Sequence, residues 1–211
     1  MTVRIGVTQR VEVITSYNER RDCLDQRWGD LLEMVGMYCI PLANRPNSAS
    51  DYLDVLRLDG VILSGGNNLG VQGEVADVAD ERDSFEHEVL MWAATNKIPV
   101  LGVCRGLQMI NHFCGGSIVL LDGHVSSRHS IMQKIEHYEW PTLHDVNSYH
   151  NYAIKVDGLA PSLMPLAFAE DGTVEAFRHK KLPWYGIMWH PEREKTFHVD
   201  DLTYIKKVFN K

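Results

Sequence analysis

Three short stretches of this sequence carry residue types suited to acyl transfer through a thiol. Cys104 sits in Gly102-Val103-Cys104-Arg105-Gly106, after an apolar run and before a segment of helical character. A nucleophile with glycine two places away on either side fits a sharp strand-to-helix turn, where larger side chains would collide with neighbouring backbone. Such a turn lifts the side chain above a sheet, near the positive end of a helix, and favours the thiolate. The Arg105 backbone N–H would then face the oxyanion formed when sulfur attacks a carbonyl. Cys23, Cys39 and Cys114 lack this setting and read as small packing residues.

His190 and Glu192 end the run Tyr185-Gly186-Ile187-Met188-Trp189-His190-Pro191-Glu192. Residues two apart on extended chain face the same side, and Pro191 keeps the backbone extended. A carboxylate against one imidazole nitrogen fixes the tautomer and leaves the other nitrogen to take the thiol proton. The order Cys104, His190, Glu192 therefore satisfies the logic of a catalytic triad. Leu63-Ser64-Gly65-Gly66-Asn67 ends another apolar run, and glycine allows a backbone that turns the Gly66 N–H into a cleft. Gly66 and Arg105 together are the expected oxyanion hole. The other histidines include no tight ligand spacing such as HExxH, so no metal is expected.

For these stretches to meet, the elements before them must end on one side of a common sheet. Val3–Thr8, Tyr38–Leu42, Asp59–Leu63 and Ile98–Val103 are short and apolar. They alternate with segments of helical character at Arg20–Val35, Asp80–Thr95 and Leu107–Phe113. Pro41 and an Asn44–Ser50 loop are expected to end the second strand. Unbroken apolar strands between helices imply a mostly parallel sheet covered on both faces, an α/β architecture. Shorter strands at Ile118–Leu121, Ala153–Val156, Leu166–Ala169, Thr173–Phe177 and Tyr185–Trp189 should extend it as mixed strands, before a last helix at Asp200–Phe209. No Gly/Pro/Ser-rich linker divides the chain, so residues 1–211 are expected to form a single domain. Ligands of open α/β sheets gather beyond the carboxyl ends of the strands, where Gln9-Arg10, Ser64–Asn68, Cys104 and His190 all fall.

The composition is that of an ordinary globular protein of 211 residues, 45% hydrophobic and 23% charged. A formal net charge of −7 argues against nonspecific binding to nucleic acid or an anionic membrane. No apolar stretch approaches the roughly 18 residues a membrane span needs. The first residues enter a strand rather than a signal peptide, and the cysteines include no CxxC pair. The expectation is a cytoplasmic protein with reduced thiols.

Taken together, Leu63-Ser64-Gly65-Gly66, Gly102-Val103-Cys104-Arg105-Gly106-Leu107-Gln108 and Trp189-His190-Pro191-Glu192 resemble the class I glutamine amidotransferase superfamily. Arg82-Asp83-Ser84-Phe85-Glu86 and Asn147-Ser148-Tyr149-His150-Asn151 resemble motifs of its γ-glutamyl hydrolase branch, and the likeness runs in order along nearly the whole chain. The resemblance implies a flavodoxin-like three-layer sandwich, a γ-glutamyl thioester on Cys104, a small-molecule γ-glutamyl substrate and no cofactor. It also implies that Gln108, Asn147, Ser148, Tyr149 and His150 hold the glutamyl head. Asn67-Asn68 stands where ammonia-donating amidotransferases usually carry proline, and no synthetase domain accompanies the chain, which favours a free hydrolase over an ammonia-supplying component.

Thr8-Gln9-Arg10, Trp28-Gly29, Glu175-Ala176-Phe177-Arg178-His179-Lys180 and Gly186-Ile187-Met188-Trp189-His190 resemble a narrower group, the γ-glutamyl-CDP-amidate hydrolases of capsule phosphoramidate formation. A diphosphate on the leaving group would ask for basic donors. Arg10 stands at a strand end, and Arg178-His179-Lys180-Lys181 is a second candidate. γ-Glutamyl-polyamine and γ-glutamyl-peptide substrates stay open, as does the oligomeric state, with a homodimer among the options.

Overall fold

The computed structural model describes residues 2–44, 49–72, 76–121, 123–133 and 145–209. Its centre is a nine-stranded sheet. The first half contains β1 (Val3–Thr8), β4 (Met37–Leu42), β5 (Gly60–Leu63) and β6 (Val100–Val103), joined by the late strand β13 (Trp184–Ile187). These five pair in parallel in the order β4-β1-β5-β6-β13. Counting only them, the order is the 2-1-3-4-5 of flavodoxin-like folds, with the topological switch between β1 and β5. Every residue of β5 and β6 is buried, as expected of strands covered on both faces.

Beyond β13 the pairing turns antiparallel through β12 (Val174–His179), β11 (Leu163–Ala169), β8 (Val125–Gln133) and β9 (Asp145–Tyr149). The second half of the chain thus extends the same sheet. Helices α2 (Ala49–Leu56), α3 (Asp80–Asn96) and α4 (Arg105–Phe113) pack on one another in sequence. Adjacent residues of β13 show where the layers lie. Gly186 approaches Leu107 of α4, whereas Tyr185 packs its ring against Tyr204 of α5 (Val199–Phe209). Neighbours on a strand face opposite ways, so α4 and α5 cover opposite faces and the arrangement is three-layered.

Several expected elements differ. In place of one helix over Arg20–Val35 the chain forms β3 (Glu19–Cys23) and then α1 (Arg27–Met34). The run Glu19-Arg20-Arg21-Asp22 offers no apolar stripe to a helix, and it pairs instead with β2 (Arg10–Ile14) as an antiparallel hairpin. Pro41 does not end β4 but lies within it, at the edge of the sheet where a missing N–H costs no ladder bond. Residues 45–48 of the expected Asn44–Ser50 loop lie outside the described residues, and Ala49 already begins α2. The expected strands at Ile118–Leu121 and Ala153–Val156 shrink to β7 (Val119–Leu120) and β10 (Tyr152–Ala153), which pair only with each other, away from the main sheet. Among the described residues no helix is long and apolar enough to cross a membrane.

Candidate active site

Cys104 stands between β6 and α4 with φ +53° and ψ −106°, a backbone conformation that L-residues rarely adopt. Its N–H donates to Ile187 O at 2.8 Å, which ties the turn to β13. The flanking glycines are dictated by close backbone approach. A Cβ on Gly102 would lie 2.5 Å from Gly106 O, and one on Gly106 only 2.0 Å from Leu63 O. The turn therefore fits beneath β5 only without side chains at these positions, and strain is concentrated at the sulfur-bearing residue.

His190 follows β13, and its Nδ1 lies 2.7 Å from Glu192 Oε1. Both side chains are buried. With Nδ1 held by Glu192, the opposite ring nitrogen, Nε2, is buried and left to Cys104. Burial opposes a charge on this ring, but Glu192 and then Cys104 outweigh it and push the His190 pKa up to about 9. The Tyr149 ring meets His190 edge-on at 5.7 Å between centroids. Gly65 has to be glycine for this ring to fit, because a Cβ there would come 2.5 Å from His190 Cε1.

The Ser64–Asn67 loop is gripped from below. Arg82 donates to Ser64 O at 2.7 Å, Gly65 O at 3.1 Å and Gly66 O at 2.5 Å. Three successive carbonyls are thus drawn to one guanidinium, while the Ser64 N–H donates to Thr8 Oγ1 at 3.1 Å and Gly66 turns at φ +84°. Asn67 follows at φ +55°, a conformation closed to proline, which locks φ near −65°. Its amide bonds the backbone of Val11 in both directions, at 2.8 and 2.9 Å.

Arg82 belongs to a buried charge network that also reaches the Cys104 turn. Its Nε donates to Glu86 Oε1 at 2.9 Å, Thr8 donates to the same oxygen at 2.7 Å, and Arg105 pairs with Glu86 and Asp83. Burial, with Arg105 nearby, draws the Arg82 pKa down to about 10, so the group stays charged at neutral pH. Burial also works against the Glu86 charge, but Arg105 and Arg82 outweigh it and hold that carboxyl below the ordinary range. One carboxylate thus anchors both loops that carry the expected oxyanion donors, Gly66 and Arg105. The sequence motif Arg82–Glu86 was visible; its supporting role was not.

These parts open onto a cavity of about 300 Å³ lined by Arg10, Gly66, Cys104, Gln108, His150 and His190, among others. Gln108 lies one helical turn after Cys104 and donates to Tyr152 O at 2.9 Å. Tyr149 and His150 also face the cavity; burial pulls the His150 pKa down to about 4, leaving it neutral. Asn147 and Ser148 are not on its wall. The Asn147 amide is spent on the His190 backbone and Glu194, and the Ser148 hydroxyl on His124 O. Both side chains are thereby turned toward backbone groups of His190 and His124. Arg10 lies against Gly66 at the mouth, bordering a second cavity of about 250 Å³ that also shares Gly66 and Arg193. Arg193, which the sequence did not single out, stacks its guanidinium 4.7 Å from the Tyr149 ring centroid. The stretch Arg178–Lys181 runs from the end of β12 toward β13, at the end of that strand away from His190, and lines neither cavity.

The sequence profile of the Peptidase C26 family matches residues 4–192. The chain is 36% identical over 209 residues to a γ-glutamyl-CDP-amidate hydrolase of Campylobacter jejuni, covering 98% of this chain and 97% of that protein. It is 31% identical over 180 residues to Protein NtpR of Enterococcus hirae, covering 72% and 73%. Among solved structures, a glutamine amidotransferase of Thermotoga maritima shares the fold, with TM-score 0.66, 18% identity and coverage of 91% of this chain and 77% of that one. With the strained cysteine turn, the glycine-dependent His190 seat and a profile match along most of its length, the chain belongs to the Peptidase C26 family.

Proposed function

We propose that this chain hydrolyses γ-glutamyl amide bonds, with Cys104 as nucleophile, His190 as acid and base, and Glu192 orienting the imidazole. The observation that carries this reading is the convergence of Cys104 and His190 on one cavity, with Glu192 on the far ring nitrogen at 2.7 Å. His190 takes the thiol proton, and its raised pKa keeps that proton on the ring through neutral pH. The thiolate attacks the γ-carbonyl, and the Gly66 and Arg105 N–H groups receive the oxyanion. Collapse breaks the C–N bond, His190 protonates the leaving nitrogen, and a glutamyl thioester forms. Water, deprotonated by the same imidazole, then releases glutamate and restores the thiol.

We further propose a leaving group that carries a nucleoside diphosphate, as in γ-glutamyl-CDP-amidate, the substrate in the name of the Campylobacter jejuni relative. Arg10 and Arg193 support it, since both border the Cys104 cavity and the one beside it. A role in capsule formation would follow from that substrate. The test is a glutamate-release assay on γ-glutamyl-CDP-amidate, a γ-glutamyl-polyamine and a γ-glutamyl-peptide, with Cys104→Ala in parallel. The nucleotide should be hydrolysed fastest, and Cys104→Ala should lose at least about 10⁴-fold in kcat. Undiminished turnover by that variant would refute the mechanism; preference for the polyamine or the peptide would refute the leaving group alone.

A further inference from the structure

Near the cavity, three side chains from separate parts of the chain converge: His124 just before β8, His150 just after β9, and Glu175 in β12. Each offers a ligand atom, and these atoms all lie within 4.8 Å of one another. The Glu175 and His150 side chains are 1% exposed and that of His124 12%. Glu175 Oε1, His150 Nε2 and His124 Nδ1 are buried without a hydrogen-bond partner. His150 Nε2 comes within 3.7 Å of Glu175 Oε1, and His129 Nε2 pairs with Oε2 at 3.2 Å, a contact that pushes the His129 pKa up. Buried ligand atoms turned toward one another without a hydrogen bond cost free energy unless a group between them satisfies them.

We propose that His124, His150 and Glu175 form a binding site for a divalent transition-metal ion of zinc's chemistry. The outward ring nitrogens carry the arrangement that metal-bound histidines need. His150 Nδ1 lies 3.0 Å from Tyr152 O, and His124 Nε2 lies 3.0 Å from Asp171 Oδ2. Asp171 is itself held by the Thr173 N–H and hydroxyl at 3.0 and 2.7 Å. A carbonyl behind one imidazole and a fixed carboxylate behind the other assign the protons outward and direct His150 Nε2 and His124 Nδ1 at the ion. Two histidines and a glutamate are a zinc donor set with a position to spare. Ligand atoms around tetrahedral zinc lie about 3.4 Å apart, so closure by roughly an ångström completes the site. The ion ties the end of β9 to β12 and leaves the mechanism at Cys104 unchanged.

The experiment titrates chelator-treated Cys104→Ser protein with zinc against a chromophoric competitor, and records the visible spectrum with cobalt. The Ser variant removes the catalytic thiol as a rival ligand. One equivalent should bind, with cobalt giving the absorption of a low-coordinate site and no thiolate charge-transfer band. Asp171→Asn should weaken binding by about 10-fold to 100-fold, and His124→Asn or Glu175→Gln by more. If Glu175→Gln fails to fold by circular dichroism, the partly exposed His124→Asn carries the comparison. Absence of stoichiometric binding, equal affinity in His124→Asn, or a thiolate band would overturn the proposal.

Discussion

The side-chain amide of Asn147 pairs with the backbone of His190 as a neighbouring strand would. Nδ2 donates to His190 O and Oδ1 accepts from His190 N, both at 2.8 Å. Nδ2 also reaches Glu194 Oε1 at 2.8 Å. Asn147 is buried in β9, far along the sheet from β13. It therefore fixes where the His190 backbone leaves its strand, and through it the ring.

Asn147→Ala should lower kcat by about 100-fold, the size of effect a misplaced catalytic group produces, with KM for the γ-glutamyl substrate little changed. Steady-state kinetics separate the two quantities. A rise in KM at constant kcat would show instead that the amide binds substrate.

Arg82→Lys tests the support beneath the Ser64–Gly66 loop. Lysine keeps the charge, but one ammonium cannot replace a planar fork that serves three carbonyls and Glu86 together. Stability should fall by about 3–5 kcal/mol, as when a buried pair is broken, which a urea titration measures. In the fraction that remains folded, kcat should drop by about 10²-fold to 10³-fold through a displaced oxyanion donor. Unchanged kcat would separate Arg82 from the positioning of Gly66.

The raised pKa of His190 makes folding stability depend on pH in a defined direction. The native ring holds its proton up to about 9, against 6.5 for an ordinary histidine. Its contribution is complete below the unfolded value and is lost as pH climbs through about 9, an effect of roughly 3 kcal/mol. Glu192→Gln removes the largest stabilising cause and should flatten this slope. Denaturant midpoints across neutral to alkaline pH measure it; parallel curves for the two proteins would contradict the assignment.

The parts legible in the sequence were those forced by backbone contact. Gly102 and Gly106 mark the turn at Cys104 because nothing larger fits, and fully buried β5 and β6 announce themselves as unbroken apolar runs. The β2–β3 hairpin was hidden because Glu19–Asp22 is charged throughout, with no period to read. The hydrogen bonds of Asn147 and Ser148 to the His190 and His124 backbone were not legible, because a polar motif does not say which distant backbone its side chains will meet. His124, His150 and Glu175 escape notice for a related reason: they come together only through the antiparallel pairing of β8, β9, β11 and β12.

Cys104 and His190 emerge from neighbouring strands whose ladder aligns Gly102 with Gly186 and Val103 with Ile187. The thiol and the imidazole are thus spaced by the hydrogen-bonded interior rather than by two independently moving loops. Thermal excursions large enough to part sulfur from imidazole must breach the middle of the sheet, the region of a protein that opens last. The proposed catalytic pair and the cooperative integrity of the fold are, in this architecture, lost in the same event.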